Sequence, residues 1–141
     1  MSVFQTTWRV QYYETDRMQI VHHSNYIRYF ETARTEMIRD WGYAYSDMEI
    51  AGIWLPVLSV NADFKTPAVY DEVLSLKCWP KRLKNASLEL AYEISNYETG
   101  EVHVTGSSRH GFTDANLKPV RLKKDAPEIY KLFEGALEKQ E

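Results

Sequence analysis

The chain of 141 residues contains one cysteine, Cys78. No intrachain disulfide can form, and a reducing compartment is the simplest setting for such a chain. Long apolar runs are also missing. None approaches the roughly 20 residues needed to span a bilayer. The opening stretch Met1–Val10 carries Gln5, Thr6, Thr7 and Arg9 and has no apolar leader core. A cytoplasmic protein with no transmembrane segment is the expectation. Positive charge is not in excess either. Seventeen Lys and Arg stand against 20 Asp and Glu, a net charge of −3. That balance argues against nucleic acid as a partner held by bulk electrostatics, but leaves room for a local basic patch that meets a phosphorylated ligand. No linker, repeat or low-complexity stretch breaks the chain.

What is present is the composition of a globular domain: 44% hydrophobic and 26% charged residues. The length suits one domain over 1–141 with a core of ordinary size. Ten Tyr, five Phe and four Trp bring aromatics to 13%, which fits broad sheet packing or an aromatic-lined pocket.

Periodicity sets the order of elements. Phe4, Thr6, Trp8, Val10 and Tyr12 alternate with Gln5, Thr7, Arg9 and Gln11, a strand signal. From Ser24 to Trp41 the period changes. Tyr26, Phe30, Ala33, Met37 and Trp41 share one face of a helix of about five turns. Arg28, Glu31, Thr35 and Arg39 lie mostly off that face, and Glu31 and Arg34 read as a surface pair. Ser24 or Asn25 can cap the start and Gly42 can end the helix. Four further strands follow: Leu58 to Phe64, Leu74 to Cys78, Leu88 to Ile94, and Val102 toward Phe112. Short turns at Lys84-Asn85 and Thr99-Gly100 make antiparallel hairpins. Asp125-Ala126-Pro127-Glu128 opens a short helix with Ile129, Leu132, Phe133 and Ala136 as its apolar face. The reading is an α+β fold, one sheet of about five strands wrapped around one long helix. Its remaining face and edges call for cover by a homo-oligomer, dimer or tetramer.

Chemistry concentrates between the first strand and the long helix. The Asp16 carboxylate follows the strand, and His22-His23-Ser24-Asn25-Tyr26 opens the helix. A helix N-terminus presents unpaired N–H groups and partial positive charge. Such an end can hold a developing oxyanion while a carboxylate in the preceding loop attacks or activates water. Glu14, nearer the strand, reads as a surface group or a support for the site. His22 reads as structural or pocket-lining, and His103 and His110 as ordinary strand residues. Adjacent histidines point apart and no further ligand follows at metal-like spacing, so no metal is expected. Lys81, Arg82 and Lys84 form the dense basic cluster, either a solvated hairpin tip or a landing site for phosphates.

The segments Tyr13-Glu14-Thr15-Asp16, Ile20-Val21-His22-His23-Ser24-Asn25-Tyr26 and Arg28-Tyr29-Phe30-Glu31-Thr32-Ala33-Arg34 carry a family resemblance. Gly52-Ile53-Trp54-Leu55-Pro56-Val57 and Thr66-Pro67-Ala68-Val69-Tyr70-Asp71-Glu72-Val73-Leu74 extend it. From about Trp8 to Arg121 the chain resembles the hotdog-fold acyl-CoA thioesterases, in their four-hydroxybenzoyl-CoA thioesterase-like, bacterial short-chain branch. The resemblance implies hydrolysis of an acyl-CoA to free acid and coenzyme A. It makes Asp16 the catalytic carboxylate and His23 the oxyanion donor through its N–H, with an assisting side chain. Substrate-binding roles would fall to Asn25, Tyr26 and the Lys81, Arg82, Lys84 hairpin. Coenzyme A is then part of the substrate, and no cofactor is implied. The family often places a glycine between the aspartate and the Ile-Val pair, where this chain has Met18 and Gln19. Two other readings stay open: hydrolysis on acyl carrier protein as partner, and a non-catalytic acyl-CoA-binding hotdog protein. A hydratase is a further case that the Asp16 loop disfavours.

Overall fold

The structure is a computed structural model and describes residues 3–43 and 45–137. Among these residues the order is β1 (Phe4–Arg9), a 3-10 turn (Tyr12–Glu14), α1 (Ser24–Asp40), α2 (Tyr45–Ile50), β2 (Val57–Phe64), β3 (Val73–Leu83), β4 (Ser87–Asn96), β5 (Val102–Gly111), α3 (Leu122–Asp125) and α4 (Pro127–Gly135). The strands form one antiparallel sheet in the order β1-β3-β4-β5-β2. The two expected hairpins join β3 to β4 and β4 to β5, and β1 and β2 close the edges. Pro80 sits beside the register shift between Pro80 and Arg82, where the ladder is already interrupted and its missing N–H is tolerated.

Helix α1 lies in the curve of the sheet. Tyr26, Phe30, Ala33 and Met37 are buried as the period predicts, but so are Asn25, Tyr29, Arg34 and Ile38. A stripe that wide means the sheet surrounds the helix on more than one side. Tyr29 meets Trp8 of β1 at 6.3 Å, and Phe30 stacks on Tyr92 of β4 at 4.3 Å. Phe30 also lies over Gly106 of β5. A Cβ there would stand 2.6 Å from the Phe30 ring and 2.5 Å from the Asn61 carbonyl oxygen, so this close approach requires glycine. Gly42, at φ 94°, ends the helix in the left-handed conformation that glycine supplies.

Several expectations change in three dimensions. Arg34 is not on a solvated face. It is buried, 4.0 Å from Glu31, and donates to the Tyr92 hydroxyl at 3.0 Å. The Tyr92 and Ser108 hydroxyls lie 2.6 Å apart, Ser108 meets His110 Nε2 at 2.7 Å, and His110 Nδ1 faces the Leu55 carbonyl at 3.2 Å. His110 is therefore part of a buried polar chain across the core rather than an ordinary strand residue. Burial and the Arg34 charge hold its pKa down at about 4. Burial pushes the Tyr92 phenol up to about 12. The strand alternation stops at Val10. Tyr12 falls in the 3-10 turn and is exposed. Strand β2 is exposed along nearly its whole length, with Ala62 alone half-buried, so the alternation in its sequence does not sort its residues between core and solvent, unlike that of the other edge strand, β1. The C-terminal helix starts at Pro127, and the preceding turn α3 is separate. Proline disfavours helical geometry at Ala126, which sits at φ −147°, ψ 68°. Helix α2, between α1 and β2, has no counterpart among the elements expected from the sequence.

Candidate active site

The Asp16 loop is a tight reversal. The Asp16 N–H donates to the Ile20 carbonyl at 2.9 Å, and the Gln19 N–H donates back to the Asp16 carbonyl at 2.9 Å. The Met18 N–H donates to Asp16 Oδ1 at 2.8 Å and so fixes the carboxylate. Gln19 holds the turn at φ 67°. This is the conformation a glycine adopts freely. Gln19 makes the same turn with a strained backbone.

Helix α1 starts directly after this loop. Four N–H groups at a helix start lack intrahelical partners. Here Ser24 N donates to His22 Nδ1 at 3.2 Å, Asn25 N to the His22 carbonyl at 2.9 Å, and Tyr26 N to the His23 carbonyl at 3.3 Å. The fourth, His23 N–H, makes no hydrogen bond among the described residues. The helix end thus offers one donor. The rings of His22 and His23 do not point apart as the sequence suggests but stack at 4.2 Å, and His22 Nδ1 lies 2.8 Å from the Ser24 hydroxyl, which ties His22 to the turn.

Loop and helix start meet in one cavity of about 310 Å³ lined by Asp16, Met18, Ile20, Val21, His23, Tyr26 and the run Phe64–Pro67. That volume is at the small end for a ligand site. Tyr26 is a buried wall residue. Its hydroxyl accepts the Ala68 N–H at 3.2 Å, and burial raises its pKa. Asn25 is buried and does not line the cavity. Its Nδ2 donates to the Glu14 carbonyl at 2.8 Å and locks the loop to the helix.

Glu14 is buried, so its surface reading is corrected. Its Oε1 accepts from Trp8 Nε1 at 3.0 Å, Gln11 N at 2.8 Å and the Tyr29 hydroxyl at 3.0 Å. Three donors on one oxygen let a carboxylate sit in the core and fasten β1, the loop and α1 together. Burial and the Glu14 charge raise the Tyr29 pKa, which keeps this donor protonated.

The model of the thioesterase-like superfamily matches residues 10–131. The chain belongs to this superfamily. It is 34% identical over 137 residues to the putative acyl-CoA thioesterase YneP of Bacillus subtilis, covering 96% of this chain and 99% of that protein. It is 27% identical over 97 residues to the acyl-CoA thioester hydrolase YbgC of Escherichia coli, covering 69% and 72%. Among solved structures, the DHNA-CoA thioesterase of Staphylococcus aureus superposes with a TM-score of 0.88 at 33% identity, covering 96% of this chain and 91% of that one. The sheet-around-helix arrangement of this thioesterase-family chain is the hotdog fold.

The basic hairpin of this superfamily member lies away from Asp16. Arg82 and Lys84 border a second cavity of about 270 Å³ with Ser87, Leu88, Glu89 and Arg109; Lys81 is exposed beside it. Arg109, which sequence reasoning passed over, faces Glu89 across β4 and β5, and Glu89 faces Arg82 across β3 and β4. Phe64, at the Asp16 cavity, connects through Val104 and Ile94 to Leu76 of β3. From Leu76 to Arg82 the strand rises about 20 Å. Within one chain the two cavities lie at opposite ends of the sheet. Sequence reasoning also missed Phe64, Lys65, Thr66 and Pro67 as cavity residues. Thr66-Pro67 stood in the resembling segment, but only the fold brings it beside Asp16. Among the described residues no three His, Cys, Asp or Glu side chains gather as metal ligands.

Proposed function

We propose that the protein hydrolyses acyl-CoA thioesters at the Asp16 cavity, with Asp16 as catalytic carboxylate and the His23 N–H as oxyanion donor. One observation carries this reading. The cavity is lined by both Asp16, whose carboxylate accepts the Met18 N–H, and His23, whose own N–H makes no hydrogen bond among the described residues. A thioester carbonyl placed against His23 N–H is polarised by a donor that needs no reorganisation, and the start of α1 favours the developing negative charge. Asp16 then attacks the carbonyl carbon, expels the thiolate of coenzyme A and forms an anhydride that water hydrolyses. Alternatively it takes a proton from water as that water attacks. Ile20, Val21, Tyr26 and Phe64 supply apolar surface for the acyl group, and the His23 ring lies at the mouth, where it can assist the leaving thiol.

The working unit is a homo-oligomer, dimer or tetramer. Val57, Leu58, Val60 and Phe64 of edge strand β2 are all exposed, an apolar edge that a second copy covers. In the assembly the Lys81, Arg82, Lys84 hairpin of one subunit reaches the Asp16 cavity of another and meets the phosphates of coenzyme A. A cytoplasmic location is in keeping with the single Cys78, buried, with its thiol pKa raised by burial.

The test is a panel of acyl-CoAs, with an acyl carrier protein thioester among them, followed by free-thiol release. The wild type is expected to cleave acyl-CoA. Asp16→Asn keeps an oxygen for the Met18 N–H and should fold, yet lose at least about a hundredfold in kcat. A well-folded Asp16→Asn protein with near wild-type turnover would remove Asp16 from the mechanism. Preference for the carrier-protein thioester would move the substrate to that partner. Tight acyl-CoA binding without release would leave a binding protein.

A further inference from the structure

Between β2 and β3 the chain runs from Lys65 to Val69 outside any strand, yet Lys65, Thr66 and Pro67 line the Asp16 cavity. What holds this run is a pair of side chains that do not line the cavity. The His103 side chain is 2% exposed and that of Glu72 10%. The His103 carbonyl accepts the N–H groups of Lys65 at 2.8 Å and Thr66 at 3.3 Å. Ring atom Nδ1 lies 2.9 Å from Thr66 Oγ1 and 3.1 Å from the Thr66 carbonyl oxygen, while Nε2 lies 2.5 Å from Glu72 Oε2. Glu72 Oε2 also accepts from Asn96 Nδ2 at 2.8 Å, and Oε1 accepts the Val69 N–H at 3.0 Å. The Thr66 hydroxyl donates to the Val102 carbonyl at 3.0 Å. One buried pair therefore grips the run at both ends, at Thr66 and at Val69.

The run passes this constraint to the reacting loop. The Val21 N–H donates to the Ala68 carbonyl at 2.9 Å, and Ile20 bridges Val69. The Ala68 N–H donates to the Tyr26 hydroxyl at 3.2 Å. Ile20 in turn accepts the Asp16 N–H at 2.9 Å. Every step from Glu72 to Asp16 is a hydrogen bond or a bridge: the Glu72 carboxylate and, at 3.3 Å, the Glu72 N–H hold Val69, Val69 bridges Ile20, and Ile20 accepts the Asp16 N–H.

We propose that Glu72 and His103 are positioning residues for hydrolysis at the Asp16 cavity. They touch no substrate. They hold Thr66 and Val69 so that the Thr66-Pro67 wall shapes the acyl site and the Ile20-Val21 pair sets Asp16 against the His23 N–H. This rests on the reading of that cavity as the site of hydrolysis. It makes His103 more than an ordinary strand residue, and makes acyl selectivity depend on a pair outside the cavity.

The experiment combines native-state amide hydrogen exchange with kinetics on the full-length protein, using Glu72→Gln and His103→Gln. In Glu72→Gln the Val21 and Val69 amides should exchange about tenfold faster, with Leu76 and Leu90 in the sheet centre unchanged. The same protein should lose about tenfold in kcat with KM within about twofold, because misplacing a reacting group acts on the transition state. Its kcat/KM ratio between an aryl-CoA and a short linear acyl-CoA should shift by about threefold or more. Equal acceleration at Leu76 and Leu90, with kcat per folded molecule and selectivity kept, would show a stability role and overturn the proposal. Unchanged exchange at Val21 would overturn it as well. The wild type supplies a test that needs no variant: Thr66, Val69 and Val21 should open as one unit apart from β3 and β4, and independent opening refutes the linkage. Absence of any acyl-CoA cleavage by the wild type would sink the hydrolase reading and with it the catalytic role of the pair, whatever the exchange shows of the linkage.

Discussion

At the scale of single residues the shape of the Asp16 loop depends on backbone more than on side-chain identity. Asp16 is oriented by the Met18 N–H, and the reversal that makes this possible runs through Gln19 at φ 67°. A non-glycine residue in that conformation carries steric strain of roughly 1 kcal/mol or more. Gln19→Gly should relieve it by more than it adds to unfolded-state entropy, for a net gain of about 0.5 kcal/mol. Urea denaturation should show the higher midpoint, and kcat should stay within about twofold. A lower midpoint would mean that the Gln19 side chain contributes contacts that outweigh the strain.

His110 gives a second consequence at this scale. Its folded-state pKa lies at about 4, below the unfolded value of 6.5. The unfolded chain therefore binds the proton first as pH falls. Stability should be level above about pH 6.5 with respect to this group. Between that and about pH 4 it should decline with a slope approaching 1.4 kcal/mol per pH unit. Denaturant midpoints measured across that range on the wild type and on His110→Gln should differ in slope, the variant being flatter. Parallel slopes would show that His110 does not titrate with unfolding.

Elements explain what spacing could and could not reveal. The period of α1 found its buried face because a helix against a sheet has to bury an apolar stripe. It could not reveal that Arg34 is buried, because the hydroxyl it donates to in the core, that of Tyr92, stands on β4. The β3–β4 hairpin is similar. Its turn was legible from Lys84-Asn85, whereas Arg109 joins the basic group only because β5 lies beside β4. Neutralising Lys81, Arg82 and Lys84 together should raise KM for acyl-CoA by about tenfold and leave kcat nearly unchanged. Contacts to phosphates far from the carbonyl are alike in ground and transition states. The effect should shrink at high salt and nearly vanish with an acyl-N-acetylcysteamine. Equal losses on both substrates would assign the hairpin to folding or assembly.

At the scale of the whole molecule the β2 edge presents exposed apolar side chains. Val60 is 42% exposed in the single chain and Phe64, a wall of the Asp16 cavity, 56%. If a second copy covers this edge as proposed, a strand that also borders the Asp16 cavity would couple assembly to activity. Light scattering should show a dimer or tetramer. Val60→Asp, a charge on that edge, should shift it toward monomer with loss of turnover. A monomeric Val60→Asp protein with full activity would separate the site from the assembly.

The linear chain by itself determined what depends on neighbours a few positions apart. The strand alternation, the long helix, its glycine stop and the two short hairpins follow from side-chain period and turn chemistry. The placing of Asp16 just before the start of α1 is equally local, and so was the candidate site. Tertiary structure decided everything that joins distant positions. It buried Glu14 under Trp8 and Tyr29, brought Phe64 to Pro67 beside Asp16, and tied Glu72 to His103. Period and propensity describe which face of an element is apolar. They carry no term for the partner strand, so whether a polar group is solvated or buried and satisfied is settled only when the sheet closes around the helix.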